Sequence, residues 1–228
     1  MALTKTLAQM RSDLKIRAGM NSTGTSVDLT STVLDGIIND AVYEGWDVIT
    51  GKWLDYFTTS SSQAVTSGTD SYTVPTDFYK LRAVWMLDGS RYIRLLPADL
   101  DAAHLYTGQT VGTKAGYRYR LMGRSLYLMP TPSANETLRI YYIPIKTEMT
   151  SDSDSVTFDV PIEYKYILAI AWRDLLDRQN LDPSPAIAKA DAYEKKLRTA
   201  ADGRDAGEPF YLNPRGPVND DDDWPEVF

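Results

Sequence analysis

The sequence predicts an α+β fold: a helical bundle built from N-terminal and C-terminal helix pairs, an inserted antiparallel β lobe (a sandwich or small barrel), and an extended C-terminal arm. Three observations predict it. Apolar residues recur at helical spacing before about residue 52 and again after about residue 160, and at a spacing of two in between. Turn dipeptides punctuate the middle stretch. No period runs through the last twenty-seven residues, which hold four prolines, three glycines and eight acids against two arginines. The expected divisions are 1–52 for the first helix pair, 53–150 for the β lobe, 151–203 for the second helix pair and 204–228 for the arm.

The first helix is expected from about Leu3 to Ala18, because Leu3, Leu7, Met10 and Leu14 make one apolar stripe. Small polar residues from Gly19 to Ser26 form a loop. A second helix follows from about Leu29 to Thr50, with Asp28 or Ser31 as its cap. Gly36 and Gly45 each cost this helix about 1 kcal/mol of propensity, so both are read as marks of close packing against another helix.

From Trp53 to Ile145 the period is two. Ser71–Val74 is a strand ending at Pro75. Leu81–Leu87 turns at Asp88-Gly89 into Arg91–Leu95, a hairpin. Pro97–Tyr106 reads as a short helix, Gly116–Leu121 and Ser125–Met129 as strands joined through Gly123, and Thr137–Ile143 as a strand closed by Pro144. These runs are too short and polar for a parallel sheet. Ser151–Ser155 is a polar loop. Asp159 with Pro161 starts a helix over Ile162–Gln179 whose Tyr166–Trp172 stretch is apolar nearly all round, as in a buried helix. Asp182-Pro183 and Ser184-Pro185 start a last helix with Ala186, Ala190, Tyr193 and Leu197 on one face and Gly203 as its stop.

The chain has 228 residues and a formal net charge of −7. Residues 202–228 carry six of those seven negative charges, so the rest of the chain is nearly neutral. An acidic arm repels nucleic acid and favours a basic protein surface. Such a segment lacks the apolar residues to order itself, so any order in it must come from its own body or a neighbour. That requirement points to an assembly component rather than a free-standing enzyme. With no cysteine, disulfides and thiolate metal sites are excluded. Residues 1–14 lack the continuous apolar core of a signal peptide, and no apolar run approaches the ~20 residues of a membrane span. Asn21-Ser22-Thr23 and Asn135-Glu136-Thr137 match a glycosylation pattern and, without a secretory signal, are read as chance.

No constellation carries chemistry. His104 is the one histidine, and the least favoured reading is a hydrolase using it with Asp99 or Asp101. There is no nucleophile elbow, no phosphate loop and no dinucleotide turn, so no catalytic residue and no cofactor is expected. Asp220, Asp221, Asp222 and Asp223 are adjacent acids that do not converge as alternating metal ligands do, so no metal is expected either. In Tyr117-Arg118-Tyr119-Arg120 the alternation puts tyrosines on one face and arginines on the other. A nucleic-acid surface wants rings and cations together. The tyrosines are therefore read as core and Arg118, Arg120 and nearby Arg124 as outward cations that meet an acidic partner.

Three segments carry a family resemblance: Tyr72–Leu81 with its Pro-Thr-Asp-Phe turn, Leu126–Pro132 followed by Leu138–Pro144, and Pro161-Ile162-Glu163 leading into a buried helix. Together they resemble the head-to-tail adaptor (head-completion, or connector) proteins of tailed bacteriophages. That resemblance implies a helical bundle with an inserted β lobe and no catalytic residues. It implies a homo-oligomeric ring, commonly of twelve copies, docked on the portal protein. The ring extends the DNA channel, lets DNA pass without specific binding and gives a tail or nozzle protein its platform. The location implied is the head–tail junction of the virion, with synthesis in the host cytoplasm. On this reading the arm lies along a neighbouring subunit or the portal, with Phe210, Tyr211, Trp224 and Phe228 as anchors and Asp220–Asp223 facing basic side chains. The competing reading is a carbohydrate- or host-binding β module of a phage tail, with Trp53, Tyr56 and Trp85 stacking on sugars. A row of these rings on one open face favours it, and burial of Trp85 favours the adaptor.

Overall fold

Apolar spacing becomes a helix where the chain also supplies a start and a partner. In the computed structural model, which describes residues 2–19, 29–52, 56–99 and 114–204, Leu7, Met10 and Leu14 are buried on one face of α1 (Leu7–Arg17). The expected start at Leu3 is corrected. Leu3–Thr6 is a strand, β1, antiparallel to Ser155–Phe158, which the expected polar loop runs into. The helix starts at Thr6 because its Oγ1 accepts the Gln9 N–H while its own N–H donates to Gln9 Oε1, a reciprocal cap that satisfies two otherwise free donors.

Helix α2 (Ser31–Lys52) is not capped by Ser31. Ser31 is its first residue, Asp28 lies outside the described residues, and Thr30 Oγ1 accepts the Val33 N–H at 3.4 Å. Gly45 faces α3 (Pro161–Arg178): a Cβ there would lie 2.5 Å from Ile167 Cγ1. Gly36 has open space around its Cα, so the expectation of close packing holds at Gly45 and is corrected at Gly36. Tyr166–Ala171 of α3 are all buried. Helix α4 (Ser184–Arg204) begins where Asp182 Oδ1 accepts both the N–H and the hydroxyl of Ser184, and it buries Ala186, Ala190 and Leu197. Its expected stop is corrected, because Gly203 lies inside the helix.

The middle of the chain forms one seven-stranded sheet. Its strands are β2 (Thr59–Val65), β3 (Ser71–Thr73), β4 (Phe78–Asp88), β5 (Arg91–Pro97), β6 (Arg118–Met122), β7 (Ser125–Met129) and β8 (Glu136–Pro144), and Ser155–Phe158 is β9. The order across the sheet is β2-β8-β4-β5-β6-β7-β3. The hairpins turn where expected, at Gly89 (φ 60°) and Gly123 (φ 58°), the left-handed backbone that glycine adopts at least cost. Two features depart from expectation. Strand β2, Thr-Ser-Ser-Ser-Gln-Ala-Val, carries almost no apolar signal because it is an edge strand, where polar residues discourage pairing with other chains. The β5–β6 pair, Leu96↔Arg118 and Pro97↔Tyr119, is parallel in an otherwise antiparallel sheet, since the connection between them has the length of a crossover rather than a hairpin. The expected helix at Pro97–Tyr106 is corrected at its start, where Pro97 ends β5, and lies from residue 100 onward outside the described residues.

Two apolar clusters hold these elements. One joins α1, α2, α3 and α4 with Val156 and Phe158 of β9. The other gathers Val65, Tyr72, Val84, Met86, Leu95, Leu126, Leu128, Leu138 and Ile140 from the strands of the seven-stranded sheet. Tyr72 on β3 braces the loop that follows β2: its hydroxyl lies 2.6 Å from the Thr69 carbonyl and 3.1 Å from that of Thr66, and it accepts the Thr66 N–H. Polar contacts link helices to strands. Trp46 Nε1 donates to Pro144 O at 3.0 Å, Asp47 accepts from Lys80 Nζ and the Tyr79 hydroxyl, and the Asn39 amide bonds both the N–H and the C=O of Met149 at 3.0 and 2.9 Å.

Candidate functional site

Strand alternation decides which side chains the sheet buries and which it displays. Val84 and Met86 of β4 point into the core, so Trp85 between them points out. Its cross-strand partners are Arg94 on β5 and Arg139 on β8. Tyr141, two residues beyond Arg139, also faces out, edge-on to Trp85 at 6.2 Å and 66°. A bulge between Leu81 and Ala83 inserts Arg82 beside Ala83 on this same face. Thr58, Arg82, Ala83, Trp85, Arg94 and Tyr141 thus line an open groove of about 450 Å³. Arg139 completes the face, its guanidinium 4.5 Å from the centre of the Tyr92 ring, a cation–π contact that holds the cation over an apolar surface.

Among the described residues no acidic side chain lines the groove. At the ends of β4 and β8, Lys114 Nζ pairs with Asp88 and Glu136 and donates to Leu87 O at 2.8 Å. Arg139 Nε is buried without an acceptor, and an unmade hydrogen bond of this kind costs about 1–3 kcal/mol. Arg94 is exposed. Arginine stacks on rings and binds carboxylate or phosphate in a fork, so the arrangement suits an extended anion with flat groups.

The residues singled out from the sequence fall elsewhere. Tyr117 is buried and Tyr119 packs against the sheet core, as the alternation predicts, and burial pushes the Tyr119 hydroxyl up in pKa. Arg118, Arg120 and Arg124 do lie off that core face. Their guanidinium groups bond their own chain: Arg118 to Tyr117 O, Arg120 to Ala98 O at 3.4 Å, and Arg124 to Pro75 O and Thr76 O at 3.1 and 2.7 Å. Phe210, Tyr211, Asp220–Asp223, Trp224 and Phe228 lie outside the described residues, as do Trp53, Asp101 and His104. Tyr56 is 49 % exposed and packs edge-on to Phe57, while Asp99 is exposed. Trp85 is half-buried on the outer face, the side that a stacking surface needs, not the core.

Sequence reasoning missed the Arg82, Arg94 and Arg139 face. Its signal was present: Leu138-Arg139-Ile140-Tyr141-Tyr142 alternates, and so does Val84-Trp85-Met86. Only the register Trp85↔Arg139 and Trp85↔Arg94 brings these rings and cations together.

A second cleft, of about 310 Å³, lies between Trp46, Phe57, the Pro144–Thr147 segment and β9. Lys146 stands there 4.3 Å over the Trp46 ring, its pKa pushed down by burial. Among the described residues no group of three or more His, Cys, Asp or Glu is placed to hold a metal, and no helix is long and apolar enough to cross a membrane.

No curated protein matches the chain. Among solved structures, a chain in one titled "Neck of empty GTA particle computed with C6 symmetry" is 12 % identical. The match covers 85 % of this chain and 94 % of that one, with a TM-score of 0.27 that is too low to carry an argument. The sequence itself is decisive: residues 5–218 match the family model described as SU10 adaptor protein, and the chain belongs to that family.

Proposed function

We propose that this chain is a structural, non-enzymatic virion protein of the head–tail junction. It forms an adaptor ring of about twelve copies that docks on the portal, extends the DNA channel and gives the tail its platform. The observation that carries this reading is the adaptor-family match over residues 5–218. The fold supports it in kind. Among the described residues, four α-helices and two sheets pack into two apolar clusters, and the surface displays rings and cations suited to subunit contacts. On this reading residues 1–52 and 151–203 form the bundle, 53–150 the lobe, and the acidic arm from 204 onward docks on a neighbour. Phe210, Tyr211, Trp224 and Phe228 are its anchors, Asp220–Asp223 its charge, and Arg118, Arg120 and Arg124 the inter-subunit cations it meets. Near-neutral residues 1–201 suit a channel through which DNA slides, because phosphate contacts add up steeply. The test is assembly without this chain: heads should then carry no tails, and normally tailed particles would overturn the proposal.

The outward placement of Trp85 beside Tyr141 favours a second reading, a carbohydrate-binding face on a tail component. Binding of the purified protein to a glycan array, lost in Trp85→Ala, is its signature; an array with no hits removes it.

A further inference from the structure

We propose that the cleft beside β9 takes residues 210–213 of a neighbouring copy's arm as a third strand, added to β9 on the edge that β1 leaves open. The inference rests on the reading of the arm as a docking segment and names where its first anchors go; it does not depend on the copy number or on the portal.

The backbone of β9 carries the inference. Among the described residues β1 and β9 pair only with each other. One step beyond their register, Leu7 N–H donates to Asp154 O at 2.8 Å. Hydrogen-bonded and non-bonded pairs alternate along an antiparallel ladder, so Lys5↔Val156 and Leu3↔Phe158 carry the next bonds. The backbone polar groups of Ser155 and Thr157 therefore turn away from β1. Two contacts agree. The Thr4 and Thr157 hydroxyls lie 3.0 Å apart, the close approach of a non-bonded pair, and Thr157 O accepts from Lys146 Nζ at 3.4 Å, on the cleft side. Among the described residues neither the Ser155 N–H nor the Thr157 N–H meets a backbone acceptor. Two donors spaced two residues apart are what an incoming strand pairs with.

The cleft suits a short apolar strand with an acid beside it. Ser155, Val156 and Thr157 form one wall and residues 144–147 the other, with Trp46 also in the lining. Val156 is buried while Ser155 and Thr157 are exposed, so a strand laid beside β9 turns alternate side chains inward. Ile145, in the facing wall, is 44 % exposed. Lys146 is half-buried there on the Trp46 ring and Thr157 O; Glu163 and Asp159 act on it from beyond salt-bridge distance.

The arm supplies the complement. Phe210-Tyr211-Leu212 is its longest apolar run from residue 205 onward, and phenylalanine and tyrosine favour strands. Pro209 and Pro214 bound the run and hold Glu208 and Asn213 extended, so the strand is as short as the open edge. Glu208 brings a carboxylate for Lys146. The exit point fits as well. A short turn over 179–183 joins α3 to α4, and Lys189 stands 5.0 Å over the Trp172 ring, so the two helices run antiparallel. Helix α4 thus ends at the level where α3 begins, just after β9. Rotational symmetry keeps the arm exits and clefts of all copies in a ring at one level. Residues 205–209 then span about 17 Å sideways, at about 3.3 Å each, to the next copy.

The experiment uses the full-length chain with Phe210→Ser, Tyr211→Ser and Leu212→Ser, which leaves the cleft free of native arms. A fluorescent peptide of residues 205–215 is titrated against it and anisotropy is read. Saturable binding is expected. Thr157→Pro removes an N–H that faces the cleft and not β1, so it should weaken binding about tenfold or more, whereas Thr157→Val keeps that N–H and should bind as the parent does. Lys146→Glu should weaken binding to a similar degree. A peptide N-methylated at Tyr211 and Leu212 loses a strand donor in either facing and should bind at least tenfold more weakly; it decides the matter should Thr157→Pro fail to fold. Absence of saturable binding, or equal affinity for plain and methylated peptide, overturns the proposal. The source of the strand is read separately. The chain has no cysteine, so a short bis-maleimide should join a Thr157→Cys protein to a Tyr211→Cys protein as a mixed dimer. No mixed dimer, or a bridge that closes only within a chain carrying both changes, overturns supply by a neighbour. Each of these negative results leaves the neck role standing, because that role is read from tails on particles.

Discussion

Glu163 is 1 % exposed; its Oε2 accepts the Asp159 N–H at 3.0 Å, and its Oε1 has no hydrogen-bond partner. Burial pushes its carboxyl up to about 7 from an ordinary 4.5, against the help of that backbone donor. Folding therefore favours the protonated form. The stabilising contribution is complete below about 4.5 and is lost as pH rises to about 7. Melting temperatures of native protein and Glu163→Gln between pH 4 and 8 check this: the variant should lose less stability across that window and be the more stable above it. Parallel profiles would remove Glu163 as the source. Gly45 poses a problem of volume instead. A methyl group there meets Ile167 Cγ1 at 2.5 Å, so Gly45→Ala should destabilise by about 1–3 kcal/mol through overpacking, more than the ~1 kcal/mol gained in helix propensity. At Gly36 nothing lies within 4 Å, and the same change should stabilise by up to ~1 kcal/mol. Denaturant unfolding of both variants reads opposite signs. Sequence alone could not separate the two glycines, because both sit on the helical period and only one faces a neighbour.

At the scale of elements, what repeats locally was legible and what pairs at a distance was not. Helices α2, α3 and α4 follow the spacing of Leu34, Ile38, Ala41, of Tyr166–Ala171 and of Ala186, Ala190, Leu197. The β4–β5 and β6–β7 hairpins follow from Asp88-Gly89 and Gly123. Strand β1 was hidden inside the apparent stripe of α1, since Leu3 keeps helical spacing with Leu7 while its partner Phe158 lies far along the chain. Strand β2 was hidden by serine. Asn39 shows how the distant pieces are pinned: its amide satisfies both polar groups of Met149 inside a buried contact. Asn39→Leu strands both groups and should cost roughly 2–4 kcal/mol in chemical denaturation. A cost under ~0.5 kcal/mol would show that water replaces the amide. The candidate site belongs to this scale too. Arg82, Arg94 and Arg139 come from three strands and share a face only because a bulge and two registers align them.

At the scale of the whole molecule, charge is concentrated in the sequence from residue 202 onward, with eight acids against two arginines. If this arm docks on a neighbouring copy through its charge, assembly should weaken with salt, because exposed charges are screened over ~8–10 Å at physiological ionic strength. The broad function was legible from Tyr72–Leu81, Leu126–Pro132 with Leu138–Pro144, and Pro161–Glu163, and the family match over residues 5–218 agrees with it. The arginine–aromatic face of β4, β5 and β8 was not, because no motif spells it.

The central claim, that this adaptor-family chain works as a ring on a portal, is tested most directly by the mass of the purified protein alone and mixed with portal rings. The account predicts a complex whose added mass is an integral number of 25.6 kDa subunits, about twelve per portal. A protein that stays monomeric and leaves the portal mass unchanged would contradict it.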